Sequence, residues 1–145
     1  MKDLMNEVIV EVSANAGAEQ LLPIEEGINH FNDSITGIND RQPLAVLIKS
    51  PQTGEVLGGM QGRSSLGLLF IDLFYLPAAL RGRGLGSEIL SRFEEEGRKR
   101  GCSAAFLYTI SFQAPDFYKK HGWEEFGRID CQPAGTSRIF MKKTL

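Results

Sequence analysis

Leu80-Arg81-Gly82-Arg83-Gly84-Leu85-Gly86-Ser87 (LRGRGLGS, residues 80–87) decides how the rest of the chain is read. Three glycines at alternate positions let the backbone approach a ligand closely and take up φ values that a Cβ would forbid, so successive N–H groups can converge on one anion. Arg81 and Arg83 add matching positive charge. Upstream, Leu66 to Leu76 (LGLLFIDLFYL) is an almost unbroken apolar run of the kind a buried strand needs. Downstream, Gly84 to Arg100 carries Leu85, Ile89, Leu90 and Phe93 on one helical face, which sets a helix N-terminus and its partial positive charge against the glycines. The three segments read as strand, pyrophosphate cradle and helix.

Two common glycine-rich turns fit poorly. A Walker-type phosphate loop ends in Gly-Lys-Ser or Gly-Lys-Thr, and Leu85-Gly86-Ser87 has no lysine. A dinucleotide fingerprint needs G-x-G-x-x-G with an acid about twenty residues later; the spacing here is G-x-G-x-G, and the next strand-like run, Ala104 to Ile110, contains no acid. The pattern that Arg81-Gly82-Arg83-Gly84-Leu85-Gly86 does fill is Q/R-x-x-G-x-G/A, which resembles the coenzyme A signature of the GNAT N-acyltransferase superfamily. A second likeness lies in Phe117-Tyr118-Lys119-Lys120-His121-Gly122-Trp123, similar to the GNAT helix that ends in a Tyr, a basic pair, a Gly and an aromatic. The order strand, cradle, helix, strand, short helix, strand is also the family's order. The resemblance runs from about Pro43 to the C-terminus, and the tail from Gln132 to Lys143 is similar to the loop and final strand of one small-acyltransferase branch. It implies an α+β fold in α/β/α layers, with a central mixed, mostly antiparallel sheet flanked by helices. The length of 145 residues suits one domain spanning 1–145.

The resemblance implies acetyl-CoA as donor and a primary amine of a small molecule or peptide as acceptor, joined by direct attack without a covalent enzyme intermediate. Three tasks then need residues: deprotonating the amine, stabilising an oxyanion and reprotonating the departing thiolate. An alkyl amine of pKa ~10 is only about 0.1% neutral at pH 7, so a base or a water chain helps. Carried over onto this chain, the oxyanion donor is the Leu76 N–H, with Pro77 marking where strand pairing stops. Pantetheine lies along Phe74, Tyr75 and Leu76 like an added strand. The phosphates take the cradle from Arg81 through Ser87. Tyr118 is the expected proton donor to the sulfur. The family often places an asparagine seven residues before that tyrosine; here the position is Ser111, with Gln113 nearby, and either side chain can take over its hydrogen bond. Where some GNAT enzymes carry a basic glutamate this chain has Phe70. Asp72, the one acid of the apolar run, is the substitute base, on the strand face expected to hold Phe70, Phe74 and Leu76; His30 and His121 are further titratable options.

A net charge of −2 and a pI near 5.7 argue against general nucleic-acid binding. Cys102 and Cys131 have neither metal spacing nor the density of a disulfide scaffold. No apolar run approaches membrane-spanning length and no leader pattern is visible, so the cytoplasm is the expected location. Family habit adds a homodimer to the expectations. Val8 to Val12 reads as a first strand, Glu19 to about Asn32 as a helix disturbed by Pro23, and Asp33 to Gln42 as a loop. Pro43–Lys49 and Glu55–Met60 form a hairpin, and Gln61 to Ser65 a second hairpin loop. Glu94, Glu95 and Glu96 read as a solvated helix face, and Arg98, Lys99 and Arg100 as its basic C-terminal end. The acceptor is expected to be selected by Glu26–Arg41, the 61–65 loop and Cys131–Arg138. Two other classes stay open: a GNAT-like module that binds acyl-CoA without turnover, and a nucleotide-binding protein of another fold.

Overall fold

The computed structural model describes residues 7–145, which divide into two compact units, one ending at Ile38 and one spanning Asn39–Leu145. The first contains a single helix, α1 (Ala18–Thr36). Pro23 lies inside it: one backbone bond is lost there and the helix continues. It also runs four residues past Asn32, because the hydroxyls of Ser34 and Thr36 bond back to the carbonyls of Phe31 and Asn32. Polar residues that read as loop are thereby absorbed into the last turn, which Gly37 closes in the left-handed region at φ 69°. The expected strand at Val8–Val12 is not formed, and Ile9, Val10 and Val12 stand in solvent. Alternating β-branched residues supply propensity, but a strand exists only through a neighbour's hydrogen bonds.

The second unit is a six-stranded sheet: β1 (Gln42–Lys49), β2 (Val56–Ser65), β3 (Leu68–Tyr75), β4 (Ala104–Ile110), β5 (Glu124–Asp130) and β6 (Ser137–Thr144), in the order β1-β2-β3-β4-β6-β5. Every pairing is antiparallel except β3 with β4. Helix α2 (Leu85–Lys99) makes that parallel crossover, and the short α3 (Pro115–Lys120) follows β4. This is the mixed, mostly antiparallel sheet that the motif order implies. Gln61–Ser65 is not a loop but the end of β2; the β2–β3 tip is Leu66-Gly67, with φ 49° and 80°. Positive φ at both central residues is the tight hairpin turn usually signalled by Asn-Gly, and leucine in first place hides it.

The core lies between the sheet and the apolar face of α2. Leu90 and Phe93 meet Leu69, Leu107 and Met141, and Gly97 lets α2 approach so closely that a Cβ there would press into Leu69. Glu94 shares this buried face and corrects the reading of a solvated acidic run. Its carboxylate is paired with Lys143 at 2.6 Å and accepts from the Trp123 indole at 3.3 Å. Position 94 follows Leu90 by one turn, so helical periodicity turns it inward whatever its charge, and the partners make burial tolerable. Among the basic trio, Arg98 bonds back to Glu95, whereas Arg100 reaches the Gln42 carbonyl and the Ser64 hydroxyl and ties α2 to the sheet. Both cysteines are free thiols.

An irregularity in β3 sets which side chains face the same way. Gly62 pairs with Ile71 but its neighbour Gln61 pairs with Leu73, so Asp72 is an extra residue on β3. A bulge shifts the alternation of side chains. Asp72 and Leu73 are both exposed, and Phe74 turns to Met60 and the core. The expected shared face of Phe70, Asp72 and Phe74 is therefore broken: Phe74 lies opposite the other two. Glycine is required at 62 because a Cβ would collide with the Phe70 carbonyl.

Candidate active site

Parallel pairing of β3 with β4 covers only Leu68–Phe70 against Ala104–Phe106. Beyond it a cleft of about 760 Å³ is lined by Ile71–Leu76 of β3 and its end, by Leu107–Ile110 of β4, and by the cradle, Phe117 and Tyr118. Loss of strand pairing leaves backbone N–H and C=O groups there without sheet partners, which is what an extended ligand arm requires.

The cradle end is built largely from backbone. Gly82 and Gly84 hold φ of 76° and 78°, with open space where a Cβ would project, and Gly84 caps α2. No side chain caps α2, so its first N–H groups are available to an anion. Arg81 donates its Nε to the Leu76 carbonyl at 2.8 Å, which fixes the peptide at the end of β3 beside the cradle. Ser87 lines the cleft and its hydroxyl lies 3.0 Å from His121 Nε2. Phe74 stacks on Phe117 at 6.0 Å, and Gly86 sits so close beneath that a Cβ would touch the Phe117 ring. These residues fit a pyrophosphate joined to an extended arm.

Tyr118 is buried, with its ring edge-on to Trp123, and it lines the cleft. Burial pushes its phenol up to about 12. Gln113 also reaches the cleft, but its side-chain oxygen accepts from the Ile110 N–H at 3.0 Å and so terminates β4. Three residues of the expected binding set do not line the cleft. Arg83 is exposed outside it, Leu85 packs on the core, and the Ser111 hydroxyl accepts from the Ser137 N–H at 3.0 Å.

The opposite end is made of side chains: Asp72 and Tyr108, with Phe112 nearby. One Arg63 nitrogen donates to both Asp72 oxygens, at 2.7 and 2.8 Å, while the guanidinium lies 4.6 Å over the Phe70 ring. A proton accepted by Asp72 must therefore share or displace that bond. Sequence reasoning misses Tyr108, reaches Arg63 only as a member of the 61–65 acceptor segment, and gives Phe117 no role beyond its place in the second motif. Arg63 becomes visible once the tip is placed at Leu66-Gly67, since β2 and β3 then pair Arg63 with Phe70. His30 lies on α1, in the other unit.

The model of the acetyltransferase (GNAT) family matches residues 11–123. The chain belongs to the GNAT acetyltransferase family. It is 32% identical over 139 residues to the acetyltransferase Atu2258 of Agrobacterium fabrum, covering 96% of this chain and 98% of the relative. It is 34% identical over 112 residues to the blasticidin-S acetyltransferase of Streptomyces morookaense, covering 74% and 82%. A crystal structure of an Agrobacterium tumefaciens protein described as an acetyltransferase superposes with a TM-score of 0.88 at 29% identity, covering 95% of this chain and all of that one. At the level of fold alone, a Bacillus anthracis streptothricin acetyltransferase described in complex with acetyl coenzyme A matches with a TM-score of 0.58 at 12% identity, over 78% of this chain and 67% of that one. Acetyl-CoA is the acetyl donor of this GNAT member.

Proposed function

We propose that this acetyltransferase is an N-acetyltransferase that acts on a primary amine of a small molecule, with a peptide amine as the competing acceptor. The observation that carries the reading is the two-ended cleft: a glycine cradle at one end, a carboxylate and aromatic rings at the other, and Tyr118 lining the same cleft. Bound acetyl-CoA supplies an activated thioester; the chain supplies position and protons. The cradle and Arg81 hold the phosphates, and the β3 edge at Phe74–Leu76 takes the arm. The Leu76 N–H serves as oxyanion donor, and the Arg81 bond to the Leu76 carbonyl anchors the following peptide beside it. Tyr118 donates a hydrogen bond to the sulfur. Its raised pKa keeps the proton in place at working pH, and full transfer becomes favourable as the departing thiolate is itself desolvated.

Asp72 and Tyr108 receive the acceptor. A carboxylate already bonded to Arg63 suits an incoming ammonium, for which it exchanges partners, and it takes the amine proton directly or through water. The relative named blasticidin-S acetyltransferase supports a small-molecule acceptor over a peptide. The test is an acceptor screen with thiol release as readout, set against acetyl-CoA titration without acceptor. Acetylation of at least one small amine with saturable kinetics supports the reading. Tight acetyl-CoA binding with no release above hydrolysis for any amine would replace it by an acyl-CoA-binding module, the reading that Phe70 in place of a glutamate favours.

A further inference from the structure

His121 closes α3, directly after Lys120, and its neighbours hold it in one place. Its backbone N–H donates to the Tyr118 carbonyl at 3.0 Å, and its own carbonyl accepts from the Lys143 ammonium at 2.7 Å. The same ammonium is anchored on the buried Glu94 of α2. The Phe117 ring stands edge-on to the imidazole, with centroids 4.9 Å apart, and Phe117 is itself stacked on Phe74. Among the described residues the one hydrogen bond of the imidazole is to the Ser87 hydroxyl, 3.0 Å from Nε2. Backbone, ion pair and aromatic stack are thus all spent on presenting this ring to one oxygen.

Ser87 is the third residue of α2 and lines the cleft, whereas His121 does not line it. A hydroxyl has one hydrogen to give. Given to an unprotonated Nε2, it leaves only lone pairs facing the cradle, and a phosphate oxygen, itself an acceptor, finds no partner there. With the hydrogen on Nε2 the roles reverse. The imidazole then donates to Oγ, and the Ser87 hydrogen is free to point at a phosphate oxygen. A serine hydroxyl left unheld in a helix bonds back to a carbonyl one turn earlier. The imidazole therefore both holds the hydroxyl outward and decides which way its hydrogen points.

We propose that His121 is a positioning residue of the donor site: it donates from Nε2 to Ser87 Oγ and so turns the Ser87 hydrogen onto the pyrophosphate of acetyl-CoA. The assignment rests on the reading of the cradle as the phosphate site. It also takes His121 out of the set of candidate bases, because the imidazole meets the cleft through Ser87, at the end opposite Asp72. The bond it sets up is charge-assisted, and it falls on oxygens that the first turn of α2 already attracts.

The test is a double-substitution cycle on the full chain, read as the acetyl-CoA dissociation constant by titration calorimetry. His121→Ala and Ser87→Ala should each raise that constant about tenfold. The double variant should be no weaker than either single one, because the two side chains act as one unit. His121→Gln keeps an N–H donor at about the reach of Nε2 and should return to within about threefold of wild type. Unchanged affinity in His121→Ala overturns the proposal, and a lowered melting temperature beside it would make the pair a clasp between α3 and α2. Losses that add in the double variant overturn it as well, as does a His121→Gln chain as weak as His121→Ala. Gly84→Val separates these failures from failure of the cradle. If Gly84→Val weakens acetyl-CoA binding and His121→Ala does not, the His121 assignment alone falls; if neither does, the cradle reading falls with it.

Discussion

The two ends of the cleft are made of different material. At the cradle the working groups belong to the backbone: Gly82 and Gly84 in the left-handed region and the open first turn of α2. At the far end they are the side chains of Asp72 and Tyr108, with Arg63 against Asp72. A backbone site needs glycine at fixed positions, so its chemistry cannot drift without the glycines changing. A side-chain site can be respecified one residue at a time on the same scaffold. The first end therefore reports the cofactor class, and the second carries the acceptor.

The strongest way to break this contrast is Gly84→Val. A Cβ in the left-handed region costs about 1–2 kcal/mol, and Gly84 lines the cleft, with open space where that Cβ would project. Acetyl-CoA affinity should fall by about two to three orders of magnitude, a loss of roughly 3–4 kcal/mol, while circular dichroism still shows the fold. Affinity within threefold of wild type would remove the cradle from the donor site. Tyr118→Phe comes next: turnover should drop by about a hundredfold with acetyl-CoA affinity nearly unchanged. An intact rate would leave Tyr118 as a packing residue against Trp123. The same variant has an alkaline signature. The folded phenol titrates at about 12 against an ordinary value of 10.0, so the native state keeps the proton that the unfolded chain loses. Wild-type stability should be complete below pH 10 and fall by roughly 2–3 kcal/mol as pH rises toward 12. In Tyr118→Phe that part of the alkaline loss should vanish from denaturation curves.

The same contrast explains what the sequence discloses. Gly82, Gly84 and Gly86 declare the cradle because the residue type is itself the mechanism, and β4 can be bounded at Ala104–Ile110 because buried positions alternate there. Glu94 misleads because its charge outweighs, on a first reading, its place on the buried face of α2, and its partner Lys143 lies 49 residues away in sequence. The sidedness of Asp72 is hidden for a different reason. A bulge is a property of two strands in register, and nothing in LLFIDLFY alone says that one residue is extra. Val8–Val12 shows the reverse case, a strand-like pattern without a partner strand.

Asp72→Asn sharpens the acceptor end. If Asp72 takes the amine proton, kcat/KM for the acceptor should fall about tenfold or more through kcat, with acetyl-CoA affinity unchanged. A loss carried by the acceptor KM alone would move Asp72 from base to anchor, and unaltered acceptor kinetics would remove it from the site.

Arg63→Ala should have the smallest effect on stability and is the finest test of the comparison. The Arg63–Asp72 bridge has both side chains about half exposed, at 54% and 40%, so solvent screens it and its deletion should cost only about 0–1 kcal/mol of unfolding free energy. The contact over Phe70 adds a further contribution of about 0.5–1 kcal/mol at such an exposed site. Its effect on catalysis should nevertheless be measurable and confined to one end. Without Arg63 the Asp72 carboxylate keeps its position on the bulge but loses its partner, so an ammonium acceptor meets no competitor. Acceptor KM should fall severalfold while acetyl-CoA affinity stays the same. A rise in KM instead would mean that Arg63 itself binds the acceptor, and the end now read as a cation site would take an anionic group.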